Sequence, residues 1–195
     1  MSRNKWGPAG PPAEAYSRVT NPERFAPVHP FAQALLARLA SEFDVEREEG
    51  SDLEPGLGPT ELARSSIMLK PRNRSAAPVL VSFTTFPGLV VRAGRWLHEP
   101  VPVCGCDACD ESAESAIESF SFLVESVVGG HFREELSMPP FLGDAWQTIE
   151  IGSRDVGHST ARRTRIPRAS ARKILEGNRA RYEWEPWARR MAEAG

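Results

Sequence analysis

The chain has 195 residues, 41% of them apolar and 26% charged, a length and balance that suit one globular domain with its own core and exclude wholesale disorder. No apolar run approaches the roughly 18 to 20 residues that a bilayer span needs, and Met1-Ser-Arg-Asn-Lys-Trp-Gly-Pro8 lacks the apolar stretch of a secretory signal, so no membrane partner is expected and the cytoplasm is the expected location. The net charge of −2 hides an asymmetry: residues 154–195 carry 11 Lys/Arg against 5 Asp/Glu, whereas residues 1–153 carry 13 against 21.

Residues 1–15, with Pro8, Pro11 and Pro12 beside Gly7 and Gly10 and no apolar period, read as a disordered lead-in. Residues 16–195 read as a single α+β domain whose C-terminal segment, 154–190, is basic. Asn21-Pro22-Glu23 pairs a capping residue with proline at the first helical position and predicts a short turn through Phe25. From Phe31 the apolar residues Phe31, Leu35, Leu39 and Phe43 recur every fourth position, with Ala32, Leu36 and Ala40 on the adjacent row, which predicts a core-facing helix of about four turns. Asp44 to Glu49 continues that helix or forms a short polar strand, and Gly50 to Pro59 is a loop.

The runs Ser66–Lys70, Val79–Thr85 and Gly88–Ala93 are rich in β-branched and aromatic residues and are bounded by Pro71, Pro78, Pro87 and Gly94. They predict successive antiparallel strands, with Arg95–His98 as the next. Beyond the cysteines, Ala113, Ala116, Ile117, Phe120, Leu123, Val124, Val127 and Val128 trace one apolar stripe that Gly129-Gly130 ends, which predicts the second main helix. His131–Leu136 and Ala145–Ile151 are further strand candidates, and Ala169–Leu175 is a short helix. In Arg181-Tyr-Glu-Trp-Glu-Pro-Trp187 the tryptophans are expected to pack back on the body. Strands that cluster and are joined by short turns favour an α+β fold: a single antiparallel sheet with two main helices packed on one face.

All three cysteines fall in the run Val103-Cys-Gly-Cys-Asp-Ala-Cys-Asp-Glu111. In a reducing compartment an odd, clustered set of thiols reads better as metal ligands or reactive groups than as a disulfide framework. The C-x-C-x-x-C spacing lets Cys104, Cys106 and Cys109 wrap one zinc ion, with Gly105 allowing a tight turn. Zinc takes four ligands. Among His98, Asp107, Asp110 and His131, His98 on the preceding strand is the expected fourth. Two other readings use the same atoms. Cys106 and Cys109 form a C-x-x-C pair before a helix, as in thiol redox proteins, although Asp107, Asp110, Glu111 and Glu114 surround it with negative charge. Alternatively, the cysteines are small side chains packed over the helix start, without chemistry.

Other constellations are weaker. Ser153, Asp155, His158 and Ser159 share a polar stretch with no nucleophile-elbow sequence, so a catalytic triad is rejected and an enzyme is not favoured. The adjacent carboxylates Glu48-Glu49 and Glu134-Glu135 point to opposite strand faces and are expected to be solvated. Ala161–Lys173 holds six positive charges and no acid, and Glu42–Glu54 holds seven acids against Arg47 alone. Mutual attraction of these two stretches is the simplest expectation, and nucleic-acid binding by 161–173 beside Tyr182, Trp184 and Trp187 is an alternative.

Tyr16-Ser-Arg-Val-Thr-Asn-Pro-Glu-Arg-Phe25, Phe86-Pro-Gly-Leu-Val-Val-Arg-Ala-Gly-Arg-Trp96 and Pro102-Val-Cys-Gly-Cys-Asp-Ala-Cys-Asp-Glu111 together resemble the motifs of an uncharacterised, mainly actinobacterial protein family of unknown function. The resemblance spans most of residues 16–151 and the Trp184-Glu-Pro-Trp187 tail. It implies a bacterial cytosolic setting and brings no activity, ligand or catalytic residue. The expectation is therefore a small cytosolic binding or interaction protein, open to a protein partner, with a candidate zinc site at Cys104, Cys106, Cys109 and His98.

Overall fold

The computed structural model of the chain describes residues 6–51, 63–152, 159–176 and 179–191. Among these the elements are α1 (Val28–Glu42), β1 (Val45–Gly50), β2 (Ala63–Pro71), β3 (Val79–Thr84), β4 (Leu89–Ala93), β5 (Leu97–Val101), α2 (Ala113–Val128), β6 (Phe132–Ser137), β7 (Ala145–Gly152), β8 (Ser159–Ile166), α3 (Arg168–Leu175) and β9 (Arg181–Glu183). No helix among the described residues is long and apolar enough to cross a membrane. The loop expected over Gly50–Pro59 and the Ser153/Asp155/His158 stretch lie largely outside the described residues. From Gly7 onward, the lead-in expected to lack structure forms 3-10 turns at Gly7–Ala9 and Ala13–Tyr16, with Ala15 buried.

The strands do not form the single sheet expected. They form two antiparallel sheets, of order β1-β2-β3-β4-β5 and β8-β7-β6-β9. Period-two alternation marks a strand and its buried face but says nothing about which edges pair. The first sheet ends at β5, whose Pro100 has no N–H to offer a further strand. The cysteine loop and α2 then carry the chain away to start the second sheet. Two strands escape prediction: β8, because Ser-Thr-Ala-Arg-Arg-Thr-Arg-Ile shows no apolar alternation and is an exposed edge, and the three-residue β9, read only as part of an aromatic segment. Of the two options for Asp44–Glu49, the polar strand is the one formed, as β1 paired to β2.

The main core lies on one face of the first sheet. Ile67, Leu69, Val79, Val81, Phe83, Leu89 and Val91 meet Ala32, Leu36 and Leu39 of α1 and Ala116, Phe120, Val124 and Val127 of α2 there. The helix begins at Val28, one turn before the predicted start, and Phe31 falls on its solvent side. α1 packs on α2 and on β1 and β2, while α2 touches both β5 and β7 and so bridges the sheets. Both C-terminal tryptophans are buried, as expected. Trp187 sits edge-on to Phe43, and its indole N–H donates to the carbonyl of Ala77 at 2.8 Å. Trp184 is sandwiched between Tyr182 and Phe132.

At the seam between the sheets lies Glu134 of β6. Contrary to the solvated role expected of it, Glu134 is fully buried. Its carboxylate accepts hydrogen bonds from the backbone N–H groups of Arg95 (2.9 Å), Trp96 (2.7 Å) and Leu97 (2.9 Å) and from Trp184 Nε1 (3.0 Å). One side chain thereby ties the β4–β5 turn and the C-terminal segment to the second sheet. Gly94, at φ +60°, makes the turn possible, because a Cβ there would run into Glu134, Phe132 and Trp184. Burial pushes the Glu134 carboxyl above its ordinary range, against the pull of the four donors.

Replacing Glu134→Gln is expected to cost about 2–4 kcal/mol, since an amide N–H would face donors that need an acceptor. A carboxyl raised on folding contributes stability that is full below its unfolded pKa and is lost as pH rises through the folded value. The variant's deficit in denaturant unfolding should therefore shrink as pH rises above the ordinary carboxylate range; a deficit that grows with pH would contradict this assignment.

Candidate metal centre in the cysteine loop

The cysteine loop spans residues 102–112 between β5 and α2, and the N-terminal arm holds it at several points. Asp107 Oδ1 accepts from the backbone N–H (3.0 Å) and hydroxyl (3.1 Å) of Thr20. The N–H groups of Asp107 and Ala108 donate to the carbonyls of Arg18 and Ala15. The Arg24 guanidinium donates to the carbonyls of Gly105 (2.9 Å) and Glu111 (3.2 Å), and its charge lies 4.5 Å from the centre of the Phe25 ring. Within the loop, Glu111 accepts from the N–H of Cys104 at 3.1 Å. The turn into α2 is made by Asp110 in the left-handed region at φ 51°, which aspartate tolerates. Ser112 then caps the helix through the N–H of Ser115.

These contacts gather the three sulfurs. Cys104 Sγ and Cys106 Sγ are 3.2 Å apart, and the sulfurs of Cys104, Cys106 and Cys109 all lie within 4.8 Å of one another. Tetrahedral zinc with bonds of about 2.3 Å places its sulfurs roughly 3.8 Å apart, so shifts of well under an ångström would seat the ion. Cys106 is buried, Cys104 half-buried and Cys109 exposed, so the cluster has an inner wall and an open side. Hydrogen bonding with Cys104 and then Cys109 lowers the Cys106 thiol from its ordinary value. Cys109 is pushed up to about 12, first by its hydrogen bond with Cys104 and then by that with Cys106.

The other candidate ligands stand apart. Among the described residues, the metal-ligating atoms gathered at this point come from the three cysteines alone. His98 is exposed near the start of β5, opposite Arg92, whereas the cysteines follow the end of that strand. One oxygen of Asp107 is engaged by Thr20. His131 lies beyond the far end of α2, whose 16 residues separate it from the loop by about 24 Å. The redox reading paired Cys106 with Cys109, yet Cys104 and Cys106 are also in sulfur–sulfur contact.

In the basic segment the partners differ from those expected. Arg162 pairs with Glu99, Arg165 with Asp144, and Arg163 lies over the Trp146 ring, while the acids of residues 42–49 meet Arg38, Arg47, Lys70, Arg72 and Arg189. Among the described residues, these ion pairs of the two stretches do not join them to each other.

Sequence reasoning missed Thr20 and Arg24, which lie more than 80 positions from their partners. The turn signal at Asn21-Pro22 marked where they would be fixed; the turn is Pro22–Phe25. It also misread Gly105. A Cβ there would stand 2.8 Å from the Phe86 ring, so this glycine permits close approach of the aromatic. Gly105→Ala should cost roughly 1–3 kcal/mol in thermal or denaturant unfolding, and Phe86→Leu in the same chain should recover part of it. Equal stability of Gly105→Ala and the parent would show that the ring does not seal the loop.

No curated protein and no solved structure matches the chain. A family model matches residues 3–191, a span that takes in the N-terminal arm, the cysteine loop and the buried tryptophans together, and the chain accordingly belongs to that family of unknown function, DUF6226.

Proposed function

We propose that the chain is a cytosolic binding or interaction protein in which Cys104, Cys106 and Cys109 hold one zinc ion. The observation that carries this reading is the convergence of three sulfurs within 4.8 Å on a loop whose backbone is fixed from outside. Thiolates select soft or borderline metals, and zinc is the one that accepts three of them in a tetrahedron without redox chemistry. Asp110, Glu111 and Glu114 add negative charge around the loop, which favours a dication. His98 is outside the gathered set, so the fourth position falls to water or to a group from a protein partner approaching the exposed Cys109.

Bound zinc would neutralise the thiolates and lock the loop against Thr20 and Arg24. Because the unfolded chain offers no such site, binding free energy becomes folding free energy. Neither the redox pairing of Cys106 with Cys109 nor nucleic-acid binding by residues 161–173 has comparable support. Arg162 and Arg165 of that segment are already engaged by acids of the same chain.

Protein purified without a histidine tag is expected to carry about one zinc per chain by elemental analysis, and Cys106→Ser and Cys109→Ser should each abolish it. Less than about 0.2 zinc per chain, with three freely titratable thiols, would overturn the proposal. A Cys106–Cys109 disulfide formed quantitatively under mild oxidant, in protein that takes up no zinc, would replace it with the redox reading.

A further inference from the structure

A second site lies away from the cysteine loop, where the start of β1 and the end of β2 face the β4–β5 turn. A cleft of about 510 Å³ opens there, within the range of about 300–1,000 Å³ typical of small-molecule sites. Its lining holds four cations, Lys70, Arg72, Arg74 and Arg95, against the single acid Glu46. Two of the four are already neutralised: Lys70 pairs with Glu48, and Arg72 with Asp44 and Glu46. Arg74 and Arg95 have no carboxylate partner among the described residues; Arg95 lies over the Tyr182 ring at 5.8 Å.

Both arginines are carried on fixed backbone. On the β2–β3 connection, Asn73 donates to Glu185 at 2.8 Å, the carbonyl of Ser75 accepts from the N–H of Glu185 at 3.0 Å, and the Ala77 carbonyl accepts from Trp187. With Asn73 and Ser75 turned to the C-terminal segment, Arg74 between them is presented to the cleft. On the opposite side, the N–H of Arg95 is held by Glu134. Met68, Pro78 and the buried Trp184 supply apolar surface between them. Two uncompensated guanidinium groups on rigid supports, with apolar surface between, match an anion attached to an apolar body. Guanidinium forks bind planar carboxylates and phosphates alike.

We propose that this cleft binds a small organic oxyanion, a carboxylate or phosphate on an apolar body, through Arg74 and Arg95. Calorimetric titration of the full chain with naphthyl phosphate, naphthoate and neutral naphthalenemethanol tests this. At least one anion should bind with a Kd below about 1 mM, and the alcohol should not. The stronger of the two anions identifies the head group. Arg74→Ala and Arg95→Ala, at exposed residues without acid partners, should each weaken binding about tenfold while leaving the melting temperature unchanged. Arg163→Ala, on β8 outside the cleft, should leave binding unchanged. Absence of binding by both anions, equal binding of the alcohol, or equal loss in Arg163→Ala would overturn the assignment.

Discussion

One buried carboxylate organises this molecule. Glu134 accepts three consecutive backbone N–H groups and an indole N–H in a place from which water is excluded. Unpaired, such donors would each cost about as much as a lost buried hydrogen bond, so the carboxylate is what allows the N–H groups of a tight turn to face the sheet seam. Everything downstream of the turn inherits its position. Leu97 begins β5, Val101 ends it, and the cysteine loop follows directly, with Cys104 three residues on. The same carboxylate fixes Trp184, and the tail beyond it returns to Phe43 and to the β2–β3 connection.

The cysteine loop shows a second use of the same physics. An irregular segment cannot satisfy its own polar backbone, and here the N-terminal arm does so through Ala15, Arg18 and Arg24, while Thr20 holds the Asp107 side chain. The loop is therefore a composite of two distant stretches. It holds its sulfurs close together without a disulfide, with Cys106 inside and Cys109 at the surface. A metal bound there would be a clasp between the arm and the start of α2. The arginine-lined cleft depends on Glu134 more directly, since one of its two key cations rides on the turn that Glu134 holds.

Much of this was legible in the residues. The four-residue spacing from Leu35 to Phe43 and the stripe from Ala113 to Val128 place both main helices, and the β-branched runs from Ser66 to Ala93 place the first sheet. Edge pairing was not legible, because alternation is local and pairing is not; a single sheet was therefore expected where two exist. Nor was β8, since an exposed edge strand has no apolar face to reveal it. Glu134 had a readable sign. It falls midway between Phe132 and Leu136, two residues from each and on the same face of β6, and both neighbours are buried. The adjacency of Glu135 obscured that. For the metal site, the cluster itself is visible at once, but its supports are over 80 residues away and its fourth ligand is not among the gathered atoms.

In the proposed site three thiolates of this chain, with no fourth ligand from the same chain, surround one zinc ion in the cysteine loop. X-ray absorption at the zinc edge on the purified protein tests it most directly. Three sulfurs at about 2.3 Å and one lighter atom at about 2.0 Å are expected. A shell of two or fewer sulfurs, or of oxygen and nitrogen alone, would contradict it.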